Sequence, residues 1–153
     1  MKIALFQPDM AANAAASIRL AACFGLPIAI IEPLGFVWDD RRLRRVGMDY
    51  LGKARIERWA SFQAFEQARR DEGRRLVLLT TKAEISFHRA AYRADDILLA
   101  GRESAGVPDD VHALADLRVR LPMADGVRSL NVVTALAMVT GEALRQTDGF
   151  PGA

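Results

Sequence analysis

The chain has 153 residues, a hydrophobic fraction of 51%, a charged fraction of 26% and a net charge of +2. That balance excludes disordered and collagen-like chains, and the length is one domain, residues 1–153, large enough to bury a core without metal or disulfide staples. The longest uncharged apolar stretch, Leu20 to Ile31, contains Gly25 and Pro27 and is far short of the ~20 residues that cross a bilayer. The N-terminus shows no secretory pattern and reads as mature protein. The single cysteine, Cys23, excludes an intramolecular disulfide framework and fits a reducing, cytoplasmic setting.

Lys2 to Gln7 reads as a strand ended by Pro8. A helix follows, with Asn13 as its N-cap, Ala14–Ala16 as strong helix formers, Ile18, Ala21 and Ala22 on one face, and Gly25 closing it. Pro27–Ile31 is a continuous apolar run of strand length, the pattern of a parallel strand covered on both faces. Asp39 to Arg45 predicts a short exposed helix, and Arg55 to Trp59 a minor strand. Ser61 caps a helix to about Glu72 with Phe62, Phe65 and Ala68 on one face. Further strands are expected at Arg75–Thr80, Asp96–Ala100 and Leu117–Leu121. Asp109 and Asp110 suit the start of a short helix. A long helix runs from about Leu130 to Gln146. Alternating strands and helices predict an α/β fold with a mostly parallel sheet and helices on both faces.

Ligands of open α/β sheets bind outside the carboxyl ends of the strands. The first such turn, Pro8 to Arg19, has no glycine, so it lacks a dinucleotide fingerprint; no GxxxxGK[ST] run exists either. No metal site is expected: His88 and His112 are the only histidines and are read as surface residues, and Cys23 as a buried small apolar residue. Glycine appears later, in Gly101-Arg-Glu-Ser-Ala-Gly106-Val-Pro108, which can form a backbone concavity or an ordinary loop. Leu121-Pro-Met123 and Arg128-Ser-Leu-Asn131 form a second candidate; Ser129 could also be a plain N-cap. The two loops flank one pocket if their strands are neighbours. Of the 21 basic residues all but Lys2, Lys53 and Lys82 are arginine, and they concentrate in residues 1–75, which carry 13 basic against 9 acidic side chains. That half is where a polyanion would be gripped.

Taken together, Ile31-Glu-Pro-Leu-Gly-Phe-Val-Trp-Asp-Asp40, Arg42-Leu-Arg-Arg-Val-Gly-Met-Asp-Tyr50, Leu79-Thr-Thr-Lys82 and the segments Asn13–Arg19, Gly101–Pro108 and Leu121–Asn131 resemble the small single-domain SPOUT methyltransferases. The chain is most similar to those that methylate the ribose 2′-hydroxyl of the wobble nucleotide, C or U at position 34, in tRNA. The resemblance implies a deep C-terminal trefoil knot, an exception to the unknotted connections otherwise expected. It also implies S-adenosylmethionine bound in that knot without a metal, a homodimer, and the tRNA anticodon stem-loop as partner, with no membrane or DNA partner.

By the same resemblance Leu79, Gly101, Leu121, Met123, Ser129 and Leu130 surround the cofactor, and Glu103 and Asn131 shape the loops. Arg19 is the catalytic residue near the reacting ribose. A guanidinium is effectively never deprotonated, so Arg19 is expected to hold a phosphate and polarise the hydroxyl rather than act as a base. Asn13, Arg41, Arg42, Arg44 and Arg45 are the expected RNA contacts. Two departures stand out: Ala14-Ala15-Ala16 replaces the usual Thr-Gly-Asn after Asn13, and Ala105 stands where some relatives have arginine. Three alternatives stay open at this point: methylation of another RNA ribose, an RNA-binding pseudoenzyme, and a small α/β ligand-binding domain.

Overall fold

A computed structural model describes residues 1–41, 43 and 48–152 of the chain. Seven strands form one sheet: β1 (Lys2–Phe6), β2 (Pro27–Ile31), β3 (Arg55–Trp59), β4 (Leu76–Leu79), β5 (Ile85–Ser86), β6 (Ile97–Ala100) and β7 (Leu117–Arg120). Their spatial order is β3-β2-β1-β6-β4-β7-β5. Every ladder between them is parallel, with Ile3 opposite Ile28 on one side of β1 and Leu98 on the other. Among the described residues, the helices that flank the sheet include α1 (Ala11–Cys23), α2 (Phe62–Asp71), α3 (Asp109–Leu114) and α4 (Val132–Gln146).

The continuous apolar strands are buried on both faces because side chains alternate. Ile3 and Leu5 of β1, Ile28 and Ile30 of β2 and Leu98 of β6 pack against Ile18 and Ala21 of α1 and Leu136 and Val139 of α4. Ala4, Phe6, Ala29, Ile31, Ile97 and Leu99 face the other way, onto Phe65 of α2 and Val111 of α3. Helices thus cover both faces, as the alternation of elements predicts. The amide of Gln146, at the end of α4, donates to Ala90 O at 2.9 Å and accepts from Tyr92 N at 3.0 Å. This ties the C-terminal helix to the segment that leads into β6.

Two arginines, Arg75 and Arg69, tie the elements together through ion pairs. Asp96, wholly buried, accepts from Arg75 Nε and Nη2 at 2.8 and 2.7 Å and from Arg93 N. Arg69 is gripped by Glu66 and Asp116 on the α2 face. Glu66 is held below the ordinary carboxylate range: burial opposes that, but the guanidiniums of Arg69 and Arg70 together outweigh it. These charges serve the fold.

Local details differ from expectation in physically clear ways. Gly25 does close α1, at φ +65°, in a Schellman turn: Leu26 N donates to Ala21 O at 2.9 Å and Gly25 N to Ala22 O at 3.2 Å. Asn13 is not the N-cap. The helix starts at Ala11 after Met10, with no side-chain cap, and Asn13 lies inside the first turn. Cys23 is exposed, not buried, because it falls off the stripe formed by Ala14, Ile18 and Ala21. Ser61 caps α2 as expected, accepting from Ala64 N at 3.2 Å. The cap of α4 is Asn131, not Ser129: its Oδ1 accepts from Val133 N at 2.9 Å and Thr134 N at 3.2 Å. In the 39–45 segment, Asp40, Arg41 and Leu43 are helical, and Leu43 is buried, so this helix is anchored rather than wholly exposed. Arg42, Arg44 and Arg45 lie outside the described residues.

Candidate functional site

The carboxyl ends of β4, β6 and β7 lie side by side in the sheet, so the three segments that follow them converge. They enclose a cavity of about 490 Å³. Leu79, Gly101, Leu121, Met123, Ser129 and Leu130 all line it, so residues expected from three separate stretches share one wall-to-wall site. The floor is apolar, with Ala100, Val119 and Ala135; Thr80, Lys82 and Ser104 bring polar groups to its margin.

The 101–106 loop is built by a close backbone approach. Arg102 N donates to Gly106 O at 2.9 Å, and Gly106 N returns a bond to Arg102 O at 2.8 Å. A Cβ on Gly101 would lie 2.6 Å from the Gly106 carbonyl carbon, so only glycine fits. Gly106 turns the chain at φ +65° with open space around it. The two glycines have different jobs, one steric and one conformational.

A polar relay fixes this loop to the rest of the site. The Glu103 carboxylate accepts from Asp9 N at 2.8 Å and from Asn13 Nδ2 at 3.0 Å. Asn13 Oδ1 in turn accepts from Asn131 Nδ2 at 3.3 Å. Asp9 Oδ2 accepts from Ser104 N and Ser104 Oγ at 3.0 and 2.5 Å. Three loops far apart in sequence are therefore stitched together. Asn13 has both ends of its amide engaged within the chain, so it ties the loops together. The bonds from Ser104 hold the Asp9 carboxyl below its ordinary value. The latch is therefore complete at neutral pH and is lost as pH falls through that depressed value. Cofactor affinity measured against pH should stay flat down to the ordinary Asp range near ~4 and fall only below it.

Replacing Asn131 by alanine removes the acceptor for two helix N–H groups and the link to Asn13. The expected loss is about 1–2 kcal/mol of stability, read as a thermal midpoint lower by several degrees, with weaker cofactor binding in the same protein.

Sequence reasoning missed His112. It is half-buried rather than a surface residue, it lines the cavity, and its Nε2 is buried without a partner among the described residues. No spacing around it signals this; only the fold of the 101–108 loop brings α3 beneath the site. His88 is exposed, as expected. Among the described residues no group of His, Cys, Asp and Glu could hold a metal, and no helix is long and apolar enough to cross a membrane.

Arg19 does not line the cavity. It lies six residues beyond Asn13, which puts it ~9 Å along α1 and about 240° around it. It is exposed, and its guanidinium sits 5.0 Å from the Tyr50 ring centroid. Arg41 is also exposed, its N–H accepted by Asp39 Oδ1 at 2.8 Å.

Comparison with known proteins adds to this geometry. Residues 1–141 match the SpoU rRNA methylase family. A relative from Ancylobacter novellus, named tRNA (cytidine(34)-2′-O)-methyltransferase, is 53% identical over 150 residues, covering 98% of this chain and 95% of its own. A solved structure described as giving structural insights into the 2-OH methylation of C/U34 on tRNA superposes with a TM-score of 0.89 at 36% identity, covering 95% of this chain and 94% of the other. The SpoU methyltransferase AviRb from Streptomyces viridochromogenes, solved in complex with AdoMet, has a TM-score of 0.83 at 25% identity, covering 95% of this chain and 60% of its own. The fold they share is the trefoil-knotted α/β sheet.

Proposed function

The chain belongs to the SpoU rRNA methylase family, and from that premise we propose that it methylates the ribose 2′-hydroxyl of nucleotide 34, cytidine or uridine, in the tRNA anticodon loop, with S-adenosylmethionine as donor. The observation that carries this is the near-complete match, TM-score 0.89 at 36% identity, to the structure concerned with C/U34 methylation. The cavity fits the cofactor. Its volume of about 490 Å³ lies in the range of small-molecule sites. Its apolar floor suits an adenine ring, and the 101–106 loop, closed on itself by the Gly101–Gly106 approach, supplies one wall.

When bound, the donor would supply an electrophilic sulfonium methyl: the ribose oxygen would form the new C–O bond in line as the methyl–sulfur bond breaks, the neutral thioether would leave, and the hydroxyl proton would pass to solvent. The chain's own residues orient the partners. Leu79, Leu121 and Met123 shape the apolar part of the cavity, and the Glu103–Asn13–Asn131 relay fixes the loops around it. Positioning of this kind carries much of the rate. Arg19 holds a substrate phosphate and polarises the hydroxyl, its guanidinium staying protonated throughout.

Because α1 turns Arg19 away from its own cavity, the working unit is a homodimer in which Arg19 serves the partner's site. Exposed Met138 of α4 and exposed Phe150, which stacks edge-on against Phe24, supply apolar surface on the α1 and α4 side. Arg41, with Arg42, Arg44 and Arg45, neutralises RNA phosphates, and the reaction takes place in the cytoplasm. Arg41→Ala should weaken tRNA binding and lower the slope of log affinity against log salt by roughly 1.

The test of the function is a transfer assay with purified protein, labelled S-adenosylmethionine and unmodified total tRNA, followed by digestion and nucleoside identification. A 2′-O-methylated nucleotide 34 is expected. Cofactor binding with no transfer to tRNA would turn the assignment toward another RNA or a pseudoenzyme, and absence of cofactor binding would end it.

A further inference from the structure

A second concavity, of about 470 Å³, lies at the β3 edge of the sheet. Among the described residues it is lined by Trp38, Asp40, Leu51, Ala54, Ile56 and Arg58. Trp38 is only partly buried; it packs on the α1-side core, and its Nε1 donates to Asp40 Oδ1 at 2.9 Å. The Arg58 guanidinium lies 4.9 Å from the Trp38 ring centroid and is pinned by Glu32, Nε to Oε1 at 2.9 Å. The indole, the guanidinium and the carboxylate are thus fixed relative to one another by direct contacts.

Resting on the RNA reading given above, we propose that this notch is a nucleobase-stacking site for an unpaired base of the anticodon loop beside the modified nucleotide. A base needs a π-face, an apolar wall and an edge partner. The Trp38–Arg58 stack provides the first, since aromatic rings and guanidinium planes both stack on bases. Leu51, Ala54 and Ile56 provide the second. Asp40 provides the third: a carboxylate accepts from an exocyclic amino group, as on cytosine N4. Charge complementarity favours RNA over a peptide, because four arginines occur between positions 41 and 45, directly after Asp40 in sequence.

Location supports the same occupant. Gly35 N donates to Pro8 O at 3.0 Å, and a Cβ on Gly35 would come within 2.7 Å of Asp9 Cα. The turn leading to Trp38 is therefore pressed against Asp9, the residue latched to Ser104 at the rim of the first cavity. In the proposed complex the RNA runs from that cavity toward this turn. Stacking is indifferent to base identity, and the Asp40 carboxylate adds a preference for an amino-bearing base.

The test uses full-length protein and an anticodon stem-loop RNA carrying 2-aminopurine at each loop position in turn. Wild-type protein should quench emission at one position, Trp38→Ala should relieve that quenching and weaken RNA binding roughly tenfold, and Trp38→Phe should recover most of both. S-adenosylmethionine affinity and the salt slope should be the same in Trp38→Ala as in wild type, because stacking releases no counterions. The proposal is overturned if no loop position reports on residue 38, or if Trp38→Ala loses cofactor affinity in parallel with RNA affinity, which would make Trp38 a packing residue. Either result leaves the methylation assignment standing. Wild-type protein that neither binds nor methylates the RNA would overturn that assignment, and the notch with it.

Discussion

Gly101→Ala should weaken cofactor binding by ~100-fold or more, while Gly106→Ala only destabilises the protein. The Gly101 Cβ would stand 2.6 Å from the carbonyl carbon and 2.8 Å from the Cα of Gly106, both backbone atoms that no rotamer change can move aside. Relief requires the 102–106 bridge to open, and that bridge carries Glu103 and Ser104 into their contacts with Asn13 and Asp9. Overpacking of this kind costs about 1–3 kcal/mol. The larger effect is on the cavity, where displaced loops should reduce S-adenosylmethionine affinity by ~100-fold or more, about 2.7 kcal/mol. At Gly106 the added methyl meets nothing, and the penalty is only the left-handed backbone, roughly 1–2 kcal/mol. Calorimetric titration of both variants, with circular dichroism to confirm folding, separates the two. Equal cofactor affinities would show that the 101–106 loop does not form the binding wall.

Arg19→Ala should behave in the opposite way. Since Arg19 stands off its own cavity, cofactor affinity should hold within about twofold, while turnover with saturating tRNA falls by ~100- to 1,000-fold, the range seen when one preorganised charge partner is removed. Arg19→Lys should not restore it, because a point charge lacks the planar fork that grips phosphate. The proposed homodimer makes a sharper prediction. Protein in which Arg19→Ala and Gly101→Ala chains are co-expressed contains mixed dimers with one intact cavity facing one intact Arg19, so roughly a quarter of wild-type activity should return in a two-fold symmetric assembly. Homogeneous preparations of each variant should stay inactive. No recovery in mixed dimers would place Arg19 and the cavity of one chain in the same site.

Most of the architecture could be read from local pattern. The apolar runs at Pro27–Ile31 and Asp96–Ala100 have the length and composition of strands covered on both faces, and they are so covered. What local pattern misses are features settled by distant partners. Asn13 looks like a helix cap by residue type, yet Glu103 and Asn131, 90 and 118 positions away, claim its amide. Asn131 takes the cap that Ser129 could have supplied. His112 sits in no recognisable spacing, and its place at the cavity depends on where the 101–108 loop sets α3. The short β5 pairs only Ile85 and Ser86 with β7, too few residues for any periodicity to register. The six residues expected around the cofactor were named through resemblance of their loops, but their convergence on one cavity depends on β4, β6 and β7 being neighbours, which a strand order read from sequence does not give.

The most direct measurement compares two full-length tRNAs that differ at a single atom: one with ribose and one with 2′-deoxyribose at nucleotide 34. Each is incubated with the wild-type protein and labelled S-adenosylmethionine. Transfer to the first and none to the second is the predicted result, since the acceptor oxygen is then the only difference. Equal labelling of both would place the methyl group on another nucleotide or on a base, and would contradict ribose methylation at position 34.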